Sequence, residues 1–183
     1  MIPYDKIFGR LGNQMFQGAF LSAMAKEMGT DRYFQDPKWF DEAESDIKYF
    51  YHQGIEQIDM VAIHIRRGDY VNHPLYVDLS KTDYYDKAIK HFTDEDFIVF
   101  SDDIAWAKEY FDGMSNVEFC EEADPVKAMN IMAGCLGIIC ANSSFSWWAA
   151  YLSSAKKIVA PSEKNWYNDG NKGIPCPKSW IRI

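Results

Sequence analysis

Long hydrophobic runs are missing from this chain. The longest extends only from Gly134 to Ala141, far short of the roughly 20 residues that carry a helix across a bilayer. The start, Met1-Ile2-Pro3-Tyr4-Asp5-Lys6, lacks the basic segment and sustained apolar stretch of a secretory signal, so the expectation is a cytoplasmic protein with no transmembrane segment. Paired cysteines are missing too. Cys120, Cys135, Cys140 and Cys176 make no C-x-x-C, and three of them sit in or beside apolar runs, where a reduced thiol acts as a small hydrophobe. His52, His64, His73 and His91 are scattered without H-x-x-x-H spacing, which gives no support for a histidine-rich metal site. Positive charge is scarce: 19 Lys and Arg stand against 27 Asp and Glu, a net charge of -8. Such a surface repels a phosphate backbone and argues against nucleic acid as a partner.

What is present is 48% hydrophobic and 16% aromatic residues in a chain of 183, enough to bury a core and sized for one domain, or one domain and a fragment. Short apolar runs alternate with amphipathic stretches, the pattern of βα units on a parallel sheet. Lys6–Phe8 reads as a brief strand and Asn13–Met28 as a helix, with a near-3.6 stripe closed by Gly29. Residues 30–59 carry little signal beyond room for a short helix around Glu42–Tyr51. From residue 60 onward, strands are expected at Met60–Ile65, Phe97–Phe100, Val117–Phe119, Leu136–Cys140 and, last, Ile158–Ala160. Helices fall between them, one opened by Asp124-Pro125 as N-cap and first helical residue. The division expected is a reduced N-terminal lobe over 1–59 and a parallel-sheet domain over 60–183.

Polar clusters gather at strand ends, where open α/β sheets bind ligands. His64-Ile65-Arg66-Arg67-Gly68-Asp69 follows the first strand of the second part. Adjacent arginines leave a strand in opposite directions, so one can face the crevice while the other braces a carboxylate such as Asp69; His64 shares the face of Arg66. Two permanent cations there, in an acidic chain, suit a diphosphate better than a surface ion pair. Ser101-Asp102-Asp103 reads as an ordinary helix cap through at least one of the three, with a carboxylate left for ribose or base. Asn142-Ser143-Ser144-Phe145-Ser146 precedes or opens a helix whose free N–H groups and dipole favour an anion. The tryptophans that follow, Trp147 and Trp148, point about 100° apart on a helix and cannot both face one pocket. Gly9-Arg10-Leu11-Gly12-Asn13-Gln14 is a glycine turn without the P-loop or G-x-G-x-x-G pattern. Asp94-Glu95-Asp96 spells a D-x-D triplet, yet it precedes a strand and reads as a solvated turn at the opposite edge of the sheet.

In order, Gly9 to Gln17, His64 to Tyr70, Phe100 to Asp103 and Asn142 to Ala150 resemble the motif series of the α-1,2-fucosyltransferases of glycosyltransferase family 11. The resemblance implies a GT-B-like fold with a Rossmann-type parallel-sheet donor lobe. It implies an inverting, metal-independent transfer of fucose from GDP-fucose to a sugar hydroxyl, with no cofactor beyond the donor substrate. Carried over by motif, Arg66 would contact the diphosphate, with His64, Arg67 and Asp69 organising its loop. Ser101 and Asp102 would line the nucleotide pocket, and Asn142, Ser143, Ser144, Phe145 and Ser146 would hold phosphate or fucose. Gly12, Asn13 and Gln14 would reach the cleft from the first lobe. No residue stands out as the base; Asp69 reads as the arginine's partner. Family members are longer, and thirty residues between 30 and 59 cannot supply several βα units. The acceptor site is therefore expected to be open, borrowed from another subunit of a homo-oligomer, or absent. The alternatives are a GDP-sugar-binding protein without transferase activity and a plain α/β interaction domain.

Overall fold

The computed structural model describes residues 12–17 and 55–183. The expected strand at Lys6–Phe8, the remainder of the first helix, the helix around Glu42–Tyr51 and, with them, most of the lobe expected over 1–59 lie outside the described residues. Residues 12–17 are helical. The chain then runs β1 (Ile58–Ile65), α1 (Tyr84–Ile89), β2 (Phe97–Ser101), α2 (Ile104–Tyr110), β3 (Val117–Phe119), α3 (Pro125–Gly134), β4 (Cys135–Ile139), α4 (Ser144–Leu152), β5 (Lys157–Ala160) and β6 (Ile181–Arg182). Every strand pairing is parallel and the order across the sheet is β3-β2-β1-β4-β5-β6. This is the doubly wound order of a Rossmann-like α/β fold, and its strand sequence reverses direction between β1 and β4.

The alternation of β1 divides the core in two. Val61, Ile63 and Ile65 face α1 and α2, packing with Tyr85, Ala88, Ala107 and Phe111. Ala62 faces the other way, with Met129 and Met132 of α3, Trp147 and Trp148 of α4, and Phe16 of the N-terminal helical segment. Burial on both faces is what a parallel sheet requires, and it explains near-continuous apolar strands such as Phe97-Ile98-Val99-Phe100. The two tryptophans are fully buried, with rings 79° apart, and both contact the Phe16 ring at 4.8 Å. They hold the described N-terminal segment to the sheet domain and are not among the residues that line the cleft at the strand ends.

Helix starts follow the capping rules. Asp124 accepts from the N–H groups of Val126 and Lys127, with Pro125 at the first helical position. Asp103 caps α2 through the Trp106 N–H, and Ser143 caps α4 through the Phe145 N–H. One strand was not expected: the sheet continues past β5 to β6. β6 is too short to show a period of two, and it is fixed by distant backbone bonds, Ser162 N–H to Ile183 O and Ile183 N–H to Ala160 O.

Candidate functional site

The carboxyl ends of β1 to β4 open onto one cleft of about 740 Å³, within the usual range for a small-molecule site. Arg66, one residue beyond β1, stands on its wall. Its guanidinium binds Asp69, brought back by the single 3-10 turn Gly68–Tyr70, and Asp102 Oδ2 at 2.5 Å. It also lies 5.4 Å from the Tyr70 ring centre. Arg67 turns the other way, as alternation demands. Its Nε donates to Asp103 at 3.1 Å, its Nη1 to Ser80 Oγ at 2.6 Å, and its guanidinium covers Trp106 at 4.0 Å. The two arginines thus diverge as expected, but the carboxylate assignment differs: Asp69 sits on the crevice-facing Arg66, and Arg67 braces the β2 end through Asp103. The Arg67 backbone N–H donates to Asp102 Oδ1 at 2.9 Å, so Asp102 ties the ends of β1 and β2 together.

His64 shares the Arg66 face and lines the cleft. Its burial pushes the imidazole down to about 4, against a smaller opposing pull from Asp102, so the ring is neutral at pH 7. Among the described residues its Nδ1 has no hydrogen-bond partner. Two tyrosines of α1 brace the strand ends from beneath: Tyr85 donates to the His64 carbonyl at 3.0 Å and Tyr84 to the Cys140 carbonyl at 2.6 Å.

The opposite wall is the start of α4. Ser143, Ser144 and Phe145 line the cleft, where the positive end of the α4 dipole favours an anion. The N-terminal segment closes against this turn: Ser144 Oγ donates to Asn13 Oδ1 at 2.8 Å, and a methyl added to Gly12 would fall 2.6 Å from the Ser144 carbonyl carbon. Glycine is what permits that approach.

Of the residues singled out from the sequence, Gly12, Asn13, His64, Arg66, Asp69, Ser101, Asp102, Ser143, Ser144 and Phe145 meet in this one cleft. Gln14 is exposed and does not line it, and Arg67 faces away. Asn142 and Ser146 are buried behind it. The Asn142 amide donates to the Val77 and Trp166 carbonyls, and Ser146 Oγ accepts from the Ala141 N–H. Asp94 and Asp96 are exposed ahead of β2, at the amino ends of the strands, where Val61 N–H donates to the Asp96 carbonyl. Among the described residues no three His, Cys, Asp or Glu side chains are grouped to hold a metal ion. The cleft also contains residues not anticipated: Tyr76, Trp166 and Tyr167 beyond Tyr70, and Cys120, Glu122 and Ala123 beyond β3. Tyr70 and Tyr76 stack at 4.1 Å with rings 2° apart, and Tyr167 tilts onto Tyr76 at 5.6 Å. These lie in irregular segments, where no periodicity could have flagged them.

Comparison with known proteins gives a consistent result. The sequence model described as Glycosyl transferase family 11 matches residues 39–181. The chain is 33% identical over 138 residues to the O-antigen biosynthesis glycosyltransferase WbnK of Escherichia coli, covering 70% of this chain and 46% of that protein. It is 36% identical over 136 residues to an alpha-1,2-colitosyltransferase of Escherichia coli, covering 67% and 47%. It is 28% identical over 129 residues to galactoside alpha-(1,2)-fucosyltransferase 2 of Mus musculus, covering 64% and 37%. The chain spans about half the length of the two bacterial relatives.

Proposed function

This chain belongs to glycosyltransferase family 11, and from that premise we propose that it carries the donor-binding site of a GT-B-type transferase and moves fucose, or a closely related deoxyhexose, from its GDP-sugar to a hydroxyl of a galactoside. The observation that supports this best is the meeting of four separate segments, at Gly12, Arg66, Asp102 and Ser144, in one cleft at the reversal point of the sheet.

The chemistry follows from what those groups can stabilise. An acceptor oxygen attacks the anomeric carbon from the side opposite the pyrophosphate, the bond from that carbon to the β-phosphate oxygen breaks, and its electron pair leaves on GDP. The configuration inverts, and negative charge grows on the diphosphate. Arg66 and the first turn of α4 flank the cleft on two sides. Preorganised donors of this kind lower a barrier by about 2.7–4 kcal/mol each, or two to three decades of rate, without a divalent ion. Arg66 already holds two carboxylates, so the diphosphate would exchange with one. Asp69, with 49% of its side chain exposed against 29% for Asp102, is the partner water can take over at less cost. Ser101 and Asp102 offer acceptors to the ribose and base. His64, neutral and buried, adds no charge that competes with Arg66.

Incubation with GDP-fucose and a panel of β-galactosides tests the reading. Transfer with inversion is expected. GDP binding with slow hydrolysis but no transfer would favour a sugar-nucleotide-binding module, and absence of GDP binding would refute both.

A further inference from the structure

We propose that Tyr76, Tyr167 and Trp166 form the seat of the acceptor pyranoside, an inference that rests on the donor reading above and adds to it the place of the second substrate.

The cleft is chemically divided. On the β2–β3 side its polar groups are Ser101, Asp102 and Glu122, hydrogen-bond acceptors suited to the N–H and O–H donors of a nucleoside. On the side of the segments after β1 and β5, beyond Arg66 and Asp69, its wall is made by the rings of Tyr70, Tyr76, Trp166 and Tyr167. A pyranose presents C–H groups on its faces and hydroxyls at its rim, and an aromatic wall with few polar atoms matches that surface. Arg66 and the α4 turn lie between the two sides, so a diphosphate held there would direct its nucleoside one way and its sugar the other.

The aromatic side is built as a clasp. Tyr76 and Tyr167 form an antiparallel bridge, Val77 N–H donates to the Trp166 carbonyl at 3.2 Å, and Asn168 N–H donates to the Leu75 carbonyl at 2.7 Å. The Asn168 amide donates to the Tyr76 carbonyl at 2.8 Å, and the Asn142 amide to the Val77 carbonyl at 2.8 Å. Tyr70, against which Tyr76 stacks, is fixed by donating to the Asn142 carbonyl at 3.2 Å. The rings are ordered before any ligand arrives, so little side-chain freedom is lost on binding.

The test uses the full chain with GDP bound and lactose as the probe, followed by saturation-transfer NMR, with GDP binding measured separately by calorimetry. Lactose signals are expected in the wild type, to weaken by about tenfold in Tyr76→Ala and Tyr167→Ala, a loss typical of an aromatic contact, and to persist in Tyr76→Phe and Tyr167→Phe. The GDP dissociation constant should stay within about twofold throughout. Should an alanine variant fail to melt cooperatively, Tyr76→Leu and Tyr167→Leu keep the volume without the ring and should lose lactose alike. A loss of GDP affinity matching the loss of lactose would assign the rings to the nucleobase and overturn the proposal. So would lactose signals absent from the wild type or unchanged by removal of either ring. Wild type that binds no GDP would instead remove the donor reading on which the proposal stands.

Discussion

Arg66 is the residue on which the donor reading turns, because its side chain is only 13% exposed and reaches the cleft from the end of the central strand. Charge-assisted hydrogen bonds contribute about 1.5–3 kcal/mol, so Arg66→Ala should weaken GDP binding by about 10- to 150-fold in a calorimetric titration. The fold should survive, since the Asp69 and Asp102 side chains are partly exposed to water and Asp102 keeps the Arg67 N–H. Unchanged affinity would remove Arg66 from the site. His64 allows a test through pH. Its pKa falls from 6.5 to about 4 on folding because burial disfavours the imidazolium. Between those values the unfolded chain binds the proton and the folded chain does not, so stability rises with pH across the window and is lost as pH falls through it. On going from pH 7.5 to 4.5 this residue alone should cost roughly 2–3 kcal/mol. His64→Asn should lose that much less stability than wild type over the same range in urea unfolding. Equal slopes would show the ring to be solvated or paired.

At the scale of elements, the contact between the N-terminal helical segment and the first turn of α4 is the joint that completes the cleft. A Cβ on Gly12 would meet the Ser144 carbonyl carbon at 2.6 Å and the Phe145 nitrogen at 2.8 Å, backbone atoms that cannot yield as a side-chain tip would. Overpacking of this kind costs about 1–3 kcal/mol. Gly12→Ala is therefore expected to lower unfolding stability by that amount and to weaken GDP binding, because Asn13 is pushed from Ser144. A melt and a titration indistinguishable from wild type would show the joint to be loose. Elements were also where the sequence was most readable. β3 and α4 fall where apolar runs and polar starts placed them. β1 begins two residues before the expected Met60 because Ile58 and Asp59 already follow its extended backbone. β6 was missed because two residues carry no periodicity and its partners lie some twenty residues away in sequence. The polar cleft residues were legible for a physical reason: charged and hydroxyl groups stand out directly after apolar strands. Tyr76 and Tyr167 did not stand out. An aromatic residue in a loop of an aromatic-rich chain is unremarkable until a bridge across the fold places it in a wall.

For the molecule as a whole, ligand linkage gives the simplest check. GDP at 100 times its dissociation constant should add about 2.7 kcal/mol of stability, which for a domain of this size raises Tm by roughly 5–11 °C. No shift would leave the cleft without its nucleotide. The arrangement of the sheet also separates two roles that acidic residues could take. Asp94 and Asp96 stand at the amino ends of the strands, across the sheet from Arg66. Transfer should therefore be indifferent to EDTA and to the double change Asp94→Asn, Asp96→Asn. Activity lost in both cases would show that the acidic turn holds a metal the reaction needs.

The position of β1 between β2 and β4 has a consequence for how the chain is made. Its right-hand neighbour is encoded only at Cys135–Ile139, so a nascent chain leaving the ribosome carries Val61–Ile65 with one edge bare until that stretch emerges. At about 5–20 residues per second that interval is roughly 4 to 15 s. An unpaired, largely apolar strand edge invites pairing with another nascent chain. Slower initiation or more holdase chaperone should therefore raise the soluble yield, while faster synthesis should drive the product into inclusion bodies.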